Sequence, residues 1–137
     1  NRLHPLTETA QESWVSKQLR HTDGIVVSAT DHMRAYSEQI RGYLPDNRPY
    51  VTLGTDGYGR SDTRGNLRSY FGVDAAHIVV ATLKKLADEG EVENRLVKDA
   101  ISSFELDTDR PVAWAPQEHP QVQAVAEYHE YQAGEGN

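Results

Sequence analysis

Apolar residues recur along this chain with helical and strand-like periods in turn. Within residues 9–20, Trp14, Val15 and Leu19 return at helical spacing, and Thr9 with Glu12 has the form of a capping box, so a helix is expected. Asp23-Gly24 breaks it. The run Ile25 to Thr30 is short, mostly apolar and β-branched, the pattern of a strand covered on both faces. Asp31 is placed to cap a helix whose apolar face is Met33, Tyr36, Ile40 and Tyr43, closed by Pro45 and the segment 46–49. Tyr50 to Leu53 forms the second strand and opens into the glycine-rich loop 54–62. Ser61 or Asp62 can cap a helix running through Phe71 and stopped by Gly72. Asp74 caps another, carrying Ile78, Val79, Leu83 and Leu86 and ended by Gly90. Leu96, Val97, Ala100, Ile101 and Phe104 form the stripe of a last helix.

A connection of about 20 residues containing a helix implies parallel pairing of the two strands through a right-handed crossover. Sheets usually hold about four to six strands. Two strands that read as interior therefore want neighbours, and the domain is expected to be an incomplete α/β unit. From Asp107 the periodicity fades among Pro111, Pro116 and Pro120, and a mobile or partner-bound tail is expected in preference to a short helix at 122–131.

Composition sharpens this division. The 137 residues suit one domain, and the chain starts at Asn1, as a piece or a processed product would. The net charge is −7, and residues 107–137 hold six acids against Arg110 alone, leaving −2 for the rest. The expected division is thus a domain over 1–106 and an acidic tail over 107–137. An acidic chain with dispersed arginines repels phosphate backbones, so no nucleic-acid partner is expected. No run approaches the roughly 18 apolar residues that cross a bilayer, so no membrane partner is expected either. The absence of cysteine excludes disulfides, zinc–thiolate sites and thiol catalysis.

The loop 54–62 sits where open α/β sheets bind ligands, after a strand and before a helix. Gly57 and Gly59 are not followed by the third glycine of a dinucleotide fingerprint, and no Gly-Lys-Ser/Thr makes a phosphate loop. A structural loop against a neighbouring chain or domain is the better reading, with an anion site as the alternative. The six histidines show no metal-ligand spacing, although His32 follows a strand and is a candidate site residue. Ser61 lacks the Gly-x-Ser-x-Gly elbow of a hydrolase. Arg60, Asp62 and Arg64 alternate in sign as an ion-pair network would. Trp14 and Tyr36 read as core or interface anchors.

The run from Leu53 to Phe71, LGTDGYGRSDTRGNLRSYF, resembles the C-terminal domain of homodimeric, thiamine-diphosphate-dependent pyruvate dehydrogenases and, more loosely, transketolases. Arg2-Leu3-His4-Pro5, Glu38-Gln39-Ile40-Arg41 and the run Val73 to Leu83 are similar to the same family, so that the likeness spans roughly residues 2–106. The resemblance implies a three-layer α/β/α, transketolase C-terminal-like domain with a mixed, mostly parallel sheet. It implies a cytoplasmic homodimer in which the remaining domains of a longer chain bind thiamine diphosphate and Mg2+ outside this segment. It further implies a lipoyl-bearing acetyltransferase component as the partner that accepts the acetyl group. Thr55-Asp56-Gly57 is only superficially like the family's Gly-Asp-Gly metal motif, because no Asn pair follows. The family carries a strand, a helix and a strand before the Arg-Leu-His-Pro position, which this sequence does not show. His32 also stands where the family has an aromatic residue. No residue is assigned a catalytic, cofactor or metal role, and Asp56, Tyr58, Arg60 and Asp62 are assigned an interface or site-edge role. Two other readings stand beside it: a self-contained α/β module binding an anion at Gly54–Asp62, and an interaction protein whose acidic tail meets a basic partner.

Overall fold

The computed structural model describes residues 11–113. The Arg2–Pro5 motif, the Thr9 cap and the tail segment 122–131 lie outside them. Helix α1 (Trp14–Leu19) is capped by Ser13, whose hydroxyl accepts the Ser16 N–H at 3.0 Å. Strand β1 (Val26–Ala29) and strand β2 (Tyr50–Leu53) pair in parallel, with Val26 opposite Tyr50 and Ala29 opposite Leu53. Both strands fall within the runs that hydrophobicity marks out.

Between them, α2 (Arg34–Glu38) is only five residues long and is followed by two 3-10 turns, Arg41–Tyr43 and Pro45–Asn47. Its N-cap is Met33 with no side-chain bond, not Asp31. The face expected to be apolar turns outward, with Met33, Tyr36 and Tyr43 all more than half exposed. The reason is the short helix: once α2 ends at Glu38, the 3.6-residue period no longer continues to Ile40 and Tyr43. The polar residues face the sheet instead. Ser37 bonds Ser28 Oγ at 3.0 Å and accepts the Tyr50 hydroxyl at its carbonyl at 2.9 Å. Glu38 takes a bidentate bond from Arg41, at 2.6 and 2.8 Å, and the Thr52 hydroxyl at 2.5 Å. Arg41 in turn reaches the Tyr50 carbonyl and lies over the Tyr50 ring. Two residues of the Glu38–Arg41 motif thus fasten α2 and its following turn to β2.

Helix α3 (Arg64–Phe71) ends at Gly72, whose φ of 68° suits the left-handed stop that glycine favours. Helix α4 (Ala75–Asp88) starts at Asp74, which accepts the His77 N–H at 3.0 Å and meets the His77 ring Nδ1 at 2.6 Å. Partial burial opposes ionisation of Asp74, but the bonds from His77 outweigh it and hold its carboxyl below the ordinary range. Helix α5 (Asn94–Ser103) packs against α4 with Val97 buried and Ala100 and Ile101 half-buried, whereas Leu96 and Phe104, expected in the same stripe, are exposed.

α2 packs on β2, and α4 crosses both strands, so the small parallel sheet is flanked by helices. This is the α/β class expected, and the sheet is incomplete. Among the described residues it has two strands, and only Leu44, Tyr50, Val73 and Val97 are buried apolar side chains. Strands covered on both faces would be fully enclosed, whereas Val26, Val27, Val51 and Leu53 are only half-buried. No helix among the described residues is long and apolar enough to cross a membrane.

Candidate functional site

The carboxyl ends of β1 and β2 lead into two loops that meet, and the residues there divide sharply. Gly54, Thr55 and Asp56 form a half-buried stem, while every residue from Gly57 to Asn66 is exposed. A Cβ on Gly54 would stand 2.6 Å from the His32 carbonyl oxygen and 2.8 Å from the Arg34 nitrogen, so only glycine lets these backbones approach. Thr55 donates its N–H to the His32 carbonyl at 3.0 Å and its hydroxyl to the Asp31 carbonyl at 2.8 Å. Asp56 accepts the Arg34 N–H at 2.8 Å and pairs with the Arg34 guanidinium.

Asp56 is thereby held as a structural anion. Partial burial pushes its carboxyl up, but the Arg34 N–H, guanidinium and charge together bring it below the ordinary range. Both oxygens face Arg34, which fits a clasp between the loops better than a metal ligand. Among the described residues no three His, Asp or Glu side chains come together to hold a metal ion.

The tip is different. Gly57 has φ 106°, a conformation that side chains avoid, whereas Gly59 needs no such freedom and has open space about its Cβ position. Tyr58 is 91% exposed. Arg60 lies over the Tyr70 ring at 4.4 Å. Neither Ser61 nor Asp62 is the cap of α3; Thr63 is, accepting the Asn66 N–H at 3.3 Å. Asp62 supports that cap, its Oδ1 accepting the Thr63 N–H at 2.6 Å and the Asn66 side-chain amide at 2.8 Å. These bonds, that from Asn66 first, hold its carboxyl below the ordinary range. Asp62 therefore serves the helix start, and no Arg60–Asp62–Arg64 ion-pair network forms among the described residues.

The four positions singled out in the sequence do not make one cluster. Arg60 and Asp62 line a hollow of about 430 Å³ together with Asp31, Thr55, Arg64 and Arg68. Asp56 lines a separate hollow of about 310 Å³ with Arg34, Tyr70, His77 and Arg110. Tyr58 lines neither. His32 stacks edge-on against Tyr36, at 5.7 Å between ring centres, and contributes its carbonyl to the clasp. Past residue 106, Arg110 donates to the Ser69 carbonyl at 2.9 Å, so the stretch up to Ala113 lies against α3. Sequence reasoning overlooked Gly54, Arg34 and Arg68. Gly54 offered a signal, a glycine closing a strand; Arg34 and Arg68 are separated by 22 and 37 residues from their partners Asp56 and Asp31.

No family model matches the chain. It is 50% identical over 111 residues to the pyruvate dehydrogenase E1 component of Cupriavidus necator, covering 81% of this chain and 12% of that one. It is likewise 49% identical over 110 residues to that of Haemophilus influenzae and 46% identical over 110 residues to that of Escherichia coli, covering 80% of this chain and 12% of theirs in both cases. The resemblance read from the Leu53–Phe71 run is borne out, and the chain spans about an eighth of the length of the curated relatives it matches.

Proposed function

We propose, from the premise that this chain belongs with the pyruvate dehydrogenase E1 components, that it is a supporting segment of such an enzyme. The identity of 46–50% over four-fifths of the chain is the observation that carries this reading. The whole enzyme is an oxidoreductase of pyruvate metabolism. It would release CO2 from pyruvate and pass the acetyl unit to a lipoyl group on an acetyltransferase partner. Thiamine diphosphate with Mg2+, bound by the enzyme's other domains, would supply the electron sink for carbon–carbon cleavage. This chain's own groups are assigned no step of that chemistry.

What these residues do instead is hold geometry. The Arg34–Asp56 clasp and the wedge at Gly54 fix the stem of the loop. The exposed tip, with Tyr58, Arg60 and Asp62, then projects as a contact surface toward a neighbouring domain or the second subunit of a homodimer. The half-covered strands and the outward-facing Met33, Tyr36 and Tyr43 fit a unit that is covered by more protein. Residues 1–106 form the domain in this reading, and residues 107–137 follow it as an acidic extension. The enzyme works in the cytoplasm.

A chimera tests the proposal. Residues 11–113 are placed in the Escherichia coli relative in place of the segment they match, and pyruvate decarboxylation and subunit assembly are measured. Both are expected to be retained. Turnover of pyruvate by the chain alone with thiamine diphosphate and Mg2+ would overturn the supporting role, as would a well-folded chimera without activity.

A further inference from the structure

The hollow beside α3 has a chemistry that neither the clasp nor the cap uses. Arg64, Leu67, Arg68 and Phe71 fall at i, i+3, i+4 and i+7, so they share one face of α3, and all four line the hollow with Arg60. Leu67 and Phe71 give it an apolar floor. Arg60 is steadied over the Tyr70 ring, which fixes its guanidinium before any ligand arrives. Arg68 reaches Asp31 at 3.3 Å through Nη2, while its Nε is shielded from water and has no hydrogen-bond partner among the described residues. The two acids on the rim do not cancel the arginines. Asp31 answers Arg68, Asp62 is occupied by the Thr63 N–H and the Asn66 amide, and the lining keeps a net charge of +1. The volume of about 430 Å³ suits a small molecule.

We propose that this hollow binds a small organic anion, a phosphate monoester carrying a flat apolar body, with Arg60, Arg64 and Arg68 on the phosphate and Leu67 and Phe71 beneath the ring. Planar guanidinium forks suit phosphate oxygens better than single ammonium charges do. The first turn of α3 contributes little, because its capping bonds already come from Thr63 and Asp62. In the assembled enzyme proposed above, Arg60 and Asp62 stand at the border between the contact surface and this hollow, and the site rests on the hollow staying open there.

The test titrates the full chain with phenyl phosphate, inorganic phosphate and phenol, following backbone amides of residues 59–71 and arginine Nε–H signals by NMR. Phenyl phosphate is expected to bind at least about tenfold more tightly than inorganic phosphate, and phenol to produce no saturable shift. Added salt should weaken the binding. Arg64→Gln should weaken it about tenfold and Arg64→Lys by less, while Arg95→Gln, on the exposed face of α5, leaves it unchanged. If Arg64→Gln alters the circular dichroism spectrum, Arg64→Lys carries the comparison, since it keeps the charge and loses only the fork. No saturable shift up to about 10 mM phenyl phosphate would overturn the proposal. So would binding indifferent to both Arg64 variants, or shifts spread equally over Arg95 and the other surface arginines.

Discussion

The stem and the tip of one loop, three and five residues long and continuous from the same strand end, are built on opposite plans. Gly54, Thr55 and Asp56 each engage the segment 31–34, which is twenty or more residues away in the chain. Residues 57–61 make no backbone hydrogen bond among the described residues and are exposed throughout. The stem joins two strand ends, so its geometry is dictated from both sides. The tip is answerable only to its own chain until something else touches it. A rigid stem of this kind can present an exposed tip at a fixed place.

Substitutions can sharpen this contrast. Gly54→Val should have the largest effect, since its side chain would drive into the His32 carbonyl and the Arg34 nitrogen. A loss of about 3 kcal/mol is expected from overpacking against backbone. Thermal unfolding followed by circular dichroism measures it, and a loss below about 1 kcal/mol would mean that the two loops are not in contact. Gly57→Val comes next. It forces a β-branched residue to φ 106°, with an expected loss of about 1–3 kcal/mol that the same melt would show.

The Glu38 clasp adds a pH dependence close to the stem, since Glu38 lines one hollow with Arg34, Thr52 and Asp56. The Arg41 bond, followed by the Thr52 bond, lowers the Glu38 carboxyl to about 2 from an ordinary 4.5. Because the folded state favours the ionised form, its contribution is complete above about pH 4.5 and is lost as pH falls toward 2. Glu38 is more than a third exposed, so solvent screening limits the loss to about 1 kcal/mol. Glu38→Gln should flatten that part of the stability profile. If wild type and variant fell in parallel between pH 5 and pH 2, Glu38 would not be the group responsible.

Gly59→Ala should have the smallest effect, within about 0.5 kcal/mol of wild type. Its Cβ position is open, and its backbone does not need glycine. A large loss there would mean that the tip is as tightly held as the stem, and the comparison would fail.

Much of the local structure could be read directly. Tyr50–Leu53 is the strand expected from its β-branched, apolar run, and Asp74 caps α4 where the pattern placed it. Gly72 and Gly90 both stop helices in left-handed conformations. These features depend on near neighbours, so a short window of sequence contains the information. The outward turn of Met33 and Tyr36 was not legible, because it follows from where α2 breaks and from polar bonds to β2. The role of Asp56 was hidden for a related reason. A glycine-rich loop with an acid suggests a ligand or an interface, and only its position beside Arg34 shows a clasp.

The sequence by itself determined the α/β class, the two strands and their parallel pairing, and the family to which the chain is similar. Periodicity, caps and a long matching run are local or linear properties, and each survives without knowledge of the fold. The tertiary structure decided which residues of the loop bind inward and which face out, and it gathered Arg60, Arg64 and Arg68 around one hollow. Those outcomes rest on contacts between segments that the chain separates, where the packing of β1, β2 and α3 sets distances that no spacing along the sequence encodes.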